Sequence, residues 1–265
     1  MDMTDISRHW RAPAPRSVTF SVWRRNARVW RRLMIPSLVL NFGEPFLYLL
    51  GLGFGLGQFI GEMEGVGYFA FLASGLVASS AMMVASYEGI YSVYTRMVPQ
   101  KTYDGILATP VQIDDIVAGE MLWCATKGTI SGSSILLVGA LLGAVAGFEA
   151  LLCIPLLFLV GLAFAGPAIA VSAVSPSYDF FSYYITLVMT PMFILCGVFY
   201  PVSSLPELAQ HAVLALPLTH AVALIRPLVT GAPVGDVGVH VAVLCAFAIV
   251  GFYVAVALVR RRFVV

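Results

Sequence analysis

Six predominantly apolar blocks, at about 35–58, 68–91, 121–146, 150–174, 183–200 and 239–259, punctuate the chain between short polar stretches. Each is close to the roughly 20 residues that a helix needs to cross a hydrocarbon core. None alternates apolar and polar residues as a barrel strand does. The pattern therefore predicts an all-α membrane protein with six transmembrane helices. Before the first block, Trp23, Ala27, Trp30 and Met34 recur at i, i+4, i+7 and i+11 among arginines. That spacing predicts an amphipathic interfacial helix over 17–33, with Trp23 and Trp30 in the lipid boundary and Arg24 and Arg28 toward anionic headgroups. The helix is either a topology anchor or a contact for a partner. Residues 1–16, with Pro13 and Pro15, read as a flexible cytoplasmic tail, and 17–262 as a single transmembrane domain.

Composition makes the membrane assignment firm: 60% of residues are hydrophobic and 11% charged, with a mean hydropathy of +0.91, far from a soluble domain. The placement of charge then orients the chain. Arg8, Arg11, Arg16, Arg24, Arg25, Arg28, Arg31 and Arg32 precede the first span, and Arg260, Arg261 and Arg262 follow the last. Arg96, Lys101 and Lys127 fall between or just inside the second and third spans, so that of the 15 basic residues only Arg226 lies opposite. The positive-inside rule puts both termini in the cytoplasm, as expected in a bacterial inner membrane. The arginine-rich start is expected to be retained rather than cleaved as a leader, because the first apolar block is too long and no clear small-x-small site follows it.

Chemistry is sparse. Cys124, Cys153, Cys196 and Cys245 stand singly in apolar blocks and suggest neither metal nor disulfide. His9, His211, His220 and His240 suggest no metal cluster. No GxxxxGK[ST] phosphate loop occurs, so no nucleotide cofactor is expected on this chain. Ser74 has no GxSxG-like elbow for protease chemistry, and nothing points to nucleic acid. What remains are polar groups at membrane depth. Glu44, followed by Pro45, costs roughly 2.5–3.5 kcal/mol on insertion scales if it faces lipid, and so should face protein, water or cargo. Glu88 raises the same question less sharply, because cytoplasmic water lies near. Glu44, Tyr48 and Glu88 are the candidate lining of a substrate path. Gly51, Gly53, Gly55 and Gly57 supply overlapping GxxxG spacings for close helix contact in the first span. The turn 175–184, SPSYDFFSYY, is rich in aromatics, which suit either sugar stacking or an interfacial belt. The segment 201–238, broken at Pro217, reads as two short helices dipping back into the outer leaflet.

The long polar interruption RMVPQKTYDGILATPVQIDDIVAGE, 96–120, carries two helix-start signals. Thr109, Pro110 and Gln112 fit a capping box opening the third span. Upstream, 100–108 forms a short amphipathic helix with Tyr103, Ile106 and Leu107 on one side and Lys101 and Asp104 on another. It is either a solvated connection or a helix docking into a cytoplasmic motor.

The ordered motifs NxxEPxLYLxGLGFGLG, TYDGILATPVQIDDIVAGEMLW, SPSYDFF, TPMFILCGVFYPVSSLP and LPLTHAVALIRP resemble the permease subunits of type-2 ABC exporters, most of all their nodulation group, which exports lipo-oligosaccharides. The resemblance covers about Trp23 to Arg262. It implies a homodimer in the lipid membrane with two copies of a cytoplasmic ATPase, which binds ATP and Mg and powers outward export. It implies a coupling helix at Pro99, Gln100, Lys101, Tyr103, Asp104, Ile106 and Leu107, and outer re-entrant helices within 201–229. Glu44 stands where an aspartate is expected in nodulation relatives. Related permeases export drugs or other small hydrophobic molecules, lipids or capsular glycans, so cargo stays open. A gradient-driven secondary transporter is the competing class; it would show repeated halves and coupled intramembrane charges.

Overall fold

The computed structural model describes residues 10–32, 34–36 and 46–263. These form helices joined by short turns, apart from one hairpin in which Glu62–Met63 pairs with Val66–Gly67. The interfacial helix is α1, Thr19–Arg31. It is followed by α2 (Phe46–Ile60), α3 (Tyr68–Met97), α4 (Thr102–Leu107), α5 (Ile113–Leu141), α6 (Phe148–Val174), α7 (Tyr178–Leu195), α8 (Glu207–Val213), α9 (Pro217–Thr230) and α10 (Val237–Phe263). Among the described residues, α3, α5, α6, α7 and α10 are long and apolar enough to cross a membrane. The predicted first span is represented by α2, and the Glu44-Pro45 step lies outside the described residues.

Span limits move where polar side chains find partners. Helix α5 begins at Ile113, a few residues after the start expected at Pro110 and ahead of the apolar block from 121, and ends at Leu141 rather than 146. Asp114, Asp115 and Glu120 are buried within its first turns, which a helix tolerates only when those carboxylates are paired. Its cap is also displaced. Thr109 donates its hydroxyl back to the Ile106 carbonyl at 2.6 Å, leaving Gln112 as the N-cap in a reciprocal capping box with Asp115. The Asp115 carboxylate is ionised and accepts from the Gln112 N–H at 3.0 Å, giving the stronger, charge-assisted version of the cap.

The N-terminal segment is not wholly free. The Ala14 N–H donates to Asp114 at 2.9 Å and the Arg16 N–H to Asp115 at 2.6 Å. Arg260 donates to Asp114 and to the Arg11 carbonyl, while Tyr253 Oη donates to the Trp10 carbonyl at 2.6 Å. Residues 10–16 thus form a strap across the ends of α5 and α10, because two adjacent carboxylates offer acceptors to backbone N–H groups as well as to arginines.

Helix α3 is the central and most enclosed span, with Phe71, Leu72, Leu76 and Met82 fully buried. The glycines that allow close approach are not those of the GxxxG run. Gly51 and Gly55 face open space, and only Gly53 is tight, against the Phe69 ring. The tightest crossing is α6 on α10, where a Cβ on Gly166 would lie 2.5 Å from the Gly251 carbonyl carbon. Opposite, a Cβ on Gly251 would sit 2.7 Å from Pro167 Cδ, so the glycine accommodates a proline inside a helix. Backbone contact of this kind gains dispersion energy that lipid tails cannot offer.

At the far end from the strap, α8 and α9 meet at 87°, the broken re-entrant pair expected over 201–238. Pro217 opens α9 in its first turn instead of separating the helices, a position where its missing N–H goes unnoticed. Helix α9 is tied to α10 by His220 Nδ1 and His240 Nδ1, 2.8 Å apart. Replacing Gly166 with alanine is expected to destabilise the protein by about 1–3 kcal/mol through overpacking. Gly235→Ala, at a position with nothing within 4 Å, should stay within about 0.5 kcal/mol. Thermal unfolding in detergent distinguishes the two.

Candidate functional site

The candidate coupling segment folds as α4, entered through Lys101 in the left-handed region at φ 49. Lys101, Asp104 and Gly105 are exposed along with Pro99 and Gln100, and Ile106 and Leu107 are half-buried. Tyr103 is only 1% exposed, with its ring 5.9 Å from that of Phe263. It belongs to a cluster with Val93, Met97, Ile116, Val117 and Val259. Burial, and after it the nearby Glu120 carboxylate, push the Tyr103 phenol well above its usual pKa. Tyr103 therefore anchors α4 to the ends of α3, α5 and α10, and the outward surface is polar.

Behind this anchor lies a buried ionic network that sequence reasoning missed. Arg96 donates from Nε and Nη2 to Glu120 at 3.0 and 2.6 Å, and from both Nη atoms to Glu88 at 3.2 Å. Glu88 also accepts from Lys127 Nζ at 2.8 Å, Trp123 Nε1 at 3.1 Å and Ser92 Oγ at 2.8 Å. Asn26 of α1 donates to Glu120 at 2.8 Å. A π-type turn at Glu88–Ser92 sets this stretch of α3, a common device for re-aiming side chains. Three helices are thereby joined through one guanidinium and two carboxylates. The available signal was the pairing of an acid and a base at the basic ends of two successive spans, Glu88 with Arg96 and Glu120 with Lys127. Ionisable groups at that depth invite a search for partners.

The interfacial helix is locked onto the same network. Gly119 of α5 lets α1 approach so closely that a Cβ there would meet Val22 Cβ at 2.6 Å. Trp23 Nε1 donates to Thr126 Oγ1 at 3.0 Å, and the Trp30 ring lies edge-on to Trp123 at 5.9 Å. Both tryptophans are half-buried against α5, and Phe20 and Val29 are the exposed apolar residues of α1. Arg24 and Arg28 are exposed.

Of the residues proposed for a substrate path, Tyr48 and Glu88 stand in different surroundings. Glu44 lies outside the described residues. Tyr48 is half-buried, edge-on to Phe193 and Phe199 at 5.7 and 6.0 Å, near the ends of α2 and α7. Glu88 sits in the ionic network with its acceptor sites occupied. At the opposite end of the bundle, Arg226 of α9 lies 3.5 Å over the Phe71 ring. It donates to the Gly197 carbonyl at 2.5 Å and to Ser74 Oγ at 3.2 Å. It pins α9 to α3 and to the turn that follows α7. Of the aromatic residues in the turn at 175–184 only Phe181 is buried, edge-on to Tyr94 at 5.2 Å; Tyr178 stands edge-on to Tyr94 at 4.9 Å but is exposed, as are Phe180 and Tyr183.

Among the described residues no group of three or more His, Cys, Asp or Glu is placed to hold a metal ion, and the carboxylates near the strap and α4 are occupied in ties between helices. The arrangement is that of a polytopic helical membrane protein whose polar groups organise helices. Its family follows from comparison: the chain belongs to the ABC-2 type transporter family, whose model matches residues 16–230. It is similar to nodulation protein J of Rhizobium meliloti (strain 1021), 45% identical over 242 residues that cover 91% of this chain and 92% of that protein. Nodulation protein J of Rhizobium leguminosarum bv. trifolii is 46% identical over the same shares. The inner membrane transport permease YadH of Escherichia coli (strain K12) is 25% identical over 190 residues, 72% of this chain and 74% of that protein. The chain is thus a multi-pass ABC transporter permease, a non-catalytic membrane subunit.

Replacing Arg96 with methionine strands the buried Glu120 carboxylate, while Glu88 keeps Lys127, and is expected to cost about 3–5 kcal/mol. Adding Glu120→Leu should recover part of that loss, giving a coupling energy of about 1 kcal/mol or more. Chemical unfolding of the single and double variants measures it.

Proposed function

We propose that this chain is the permease of an ATP-driven exporter, moving an amphipathic lipo-oligosaccharide, glycan or lipid-like cargo outward across the bacterial inner membrane. The observation that carries the reading is the construction of α4. A six-residue helix with an exposed polar face is bolted by Tyr103 and by the Arg96 network to three membrane-embedded elements. A short helix on a flexible loop would absorb a push; this one transmits it. ABC-2 permeases work with a cytoplasmic ATPase, and α4 lies at the basic end of the bundle, which the positive-inside rule puts in the cytoplasm. Two copies of the permease over two ATPases are the expected assembly, with ATP and Mg bound by the ATPases. Closure of the motors shifts the permease only by as much as they bind its two conformations differently. At the other end, the Arg226 tie and the α8–α9 pair are the contacts that outward opening must rearrange. The nature of the cargo rests on the printed names of the nodulation relatives.

A gradient-driven alternative would use coupled charges of the kind formed by Glu88, Arg96, Glu120 and Lys127; among the described residues, however, the carboxylates Glu88, Glu120, Asp114 and Asp115 are each ion-paired in ties between helices. Reconstitution with the candidate ATPase tests the proposal: export should require ATP. Transport that persists without ATP and collapses with the proton gradient overturns it. Reversing the exposed charges with Lys101→Glu and Asp104→Lys should change stability by less than about 0.5 kcal/mol. The same double variant should lower ATP-dependent transport by about tenfold or more, the equivalent of roughly 1.4 kcal/mol at the contact. Undiminished transport by that variant removes α4 as the docking element.

A further inference from the structure

A cavity of about 350 Å³ lies between α1, α3 and α5. It is walled by Arg25 and Trp30 from α1, Glu88 and Arg96 from α3, and Trp123 and Lys127 from α5. Its charged groups are unequally satisfied. The Glu88 carboxylate accepts from Arg96, Lys127, Trp123 and Ser92, so its lone pairs are occupied. The Asn26 side-chain oxygen accepts from Arg25 at 3.1 Å, and its amide nitrogen donates to Glu120. Donors remain. Among the described residues, Lys127 Nζ donates one hydrogen bond of the three an ammonium offers, and Arg25 one of the five a guanidinium offers. Arg25, Arg96 and Lys127, set against Glu88 and the Glu120 behind it, leave one positive charge over.

A site with spare N–H donors and one positive charge in excess suits an acceptor-rich monoanion. It does not suit a cation. The two tryptophans and Val29 add an apolar wall, and α1 is the helix expected at headgroup level. We propose that this cavity binds the phosphate of an anionic phospholipid headgroup from the leaflet at the basic end, held by Arg25 and Lys127. Charge-assisted bonds from both would join α1 to α5 through the lipid. The inference depends on the membrane setting alone and stands apart from ATP-driven export, so either can fail without the other.

Native mass spectrometry of the purified full-length chain, equilibrated with equal phosphatidylglycerol and phosphatidylcholine, is the test. Phosphatidylglycerol should be retained preferentially. Arg25→Gln should lower its retention about tenfold, as expected for loss of roughly 1.4 kcal/mol of a charge-assisted contact. Arg25→Lys should restore part of the retention, and Arg24→Gln, on the exposed side of α1, should leave it within about twofold, a surface charge contributing little. Lys127→Gln is a second probe with the same expectation; because Lys127 also pairs with Glu88, the Arg25 series decides if that variant does not fold. Equal retention of the two lipids, or unchanged retention in Arg25→Gln, overturns the proposal. Displacement of phosphatidylglycerol by glycerol phosphate at matched concentration overturns the lipid source and assigns the cavity to a soluble phosphate ester.

Discussion

The constraint on which this structure depends is the cost of leaving a charge unpaired where water is scarce. A buried ion is tolerated only when its partners approach closely and its remaining hydrogen-bonding positions are filled. In a chain with so few charges, those that enter the bundle therefore become structural rivets. Glu88, Arg96, Glu120 and Lys127 draw α3 and α5 together, and Asn26 brings α1 into the same cluster. Asp114 and Asp115 do the same for the strap at 10–16 and the end of α10. The basic end of the bundle is consequently held by directional contacts, whereas the middle is held by close apolar packing of α3, α5, α6 and α10.

This division has a functional corollary. Apolar contacts without close backbone approach are nearly as good in one register as in the next, because lipid tails compete for them. Ion pairs with fixed geometry are not, so the basic end is held in one arrangement. The short helix α4 is part of that rigid end through Tyr103, whose ring lies beneath it among residues of three other helices. The opposite end is joined differently. Arg226 reaches backbone carbonyls and a hydroxyl, and His220 meets His240. An arginine bonded to a carbonyl and a hydroxyl, and a pair of imidazoles, lack the opposed charges that tie the basic end.

Much of the fold was legible because hydropathy and helix length are linked directly through bilayer thickness. The blocks at 68–91, 150–174 and 239–259 map onto α3, α6 and α10 for that reason. The break in the re-entrant segment was legible from Pro217, and the interfacial helix from the spacing of Trp23, Ala27 and Trp30. The site was less legible. Amphipathic periodicity grouped Tyr103 with Ile106 and Leu107 correctly as one face, but it could not say whether that face meets a partner or the chain itself. Likewise Trp23 and Trp30 sit on the apolar side of α1 whether lipid or α5 covers them.

The sequence by itself determined the class of protein, the approximate spans, the clustering of cations at one end and the absence of a phosphate loop. Each of these is a property of composition or of local period. Only the tertiary structure decided which charges pair, since Glu88 and Lys127 are distant in sequence yet 2.8 Å apart. It alone decided that 10–16 is a strap and that Gly166 and Gly251, not the run at Gly51–Gly57, make the closest helix crossing. Such pairings depend on distances between helices, and those distances are set by the packing of the whole bundle rather than by any segment of it.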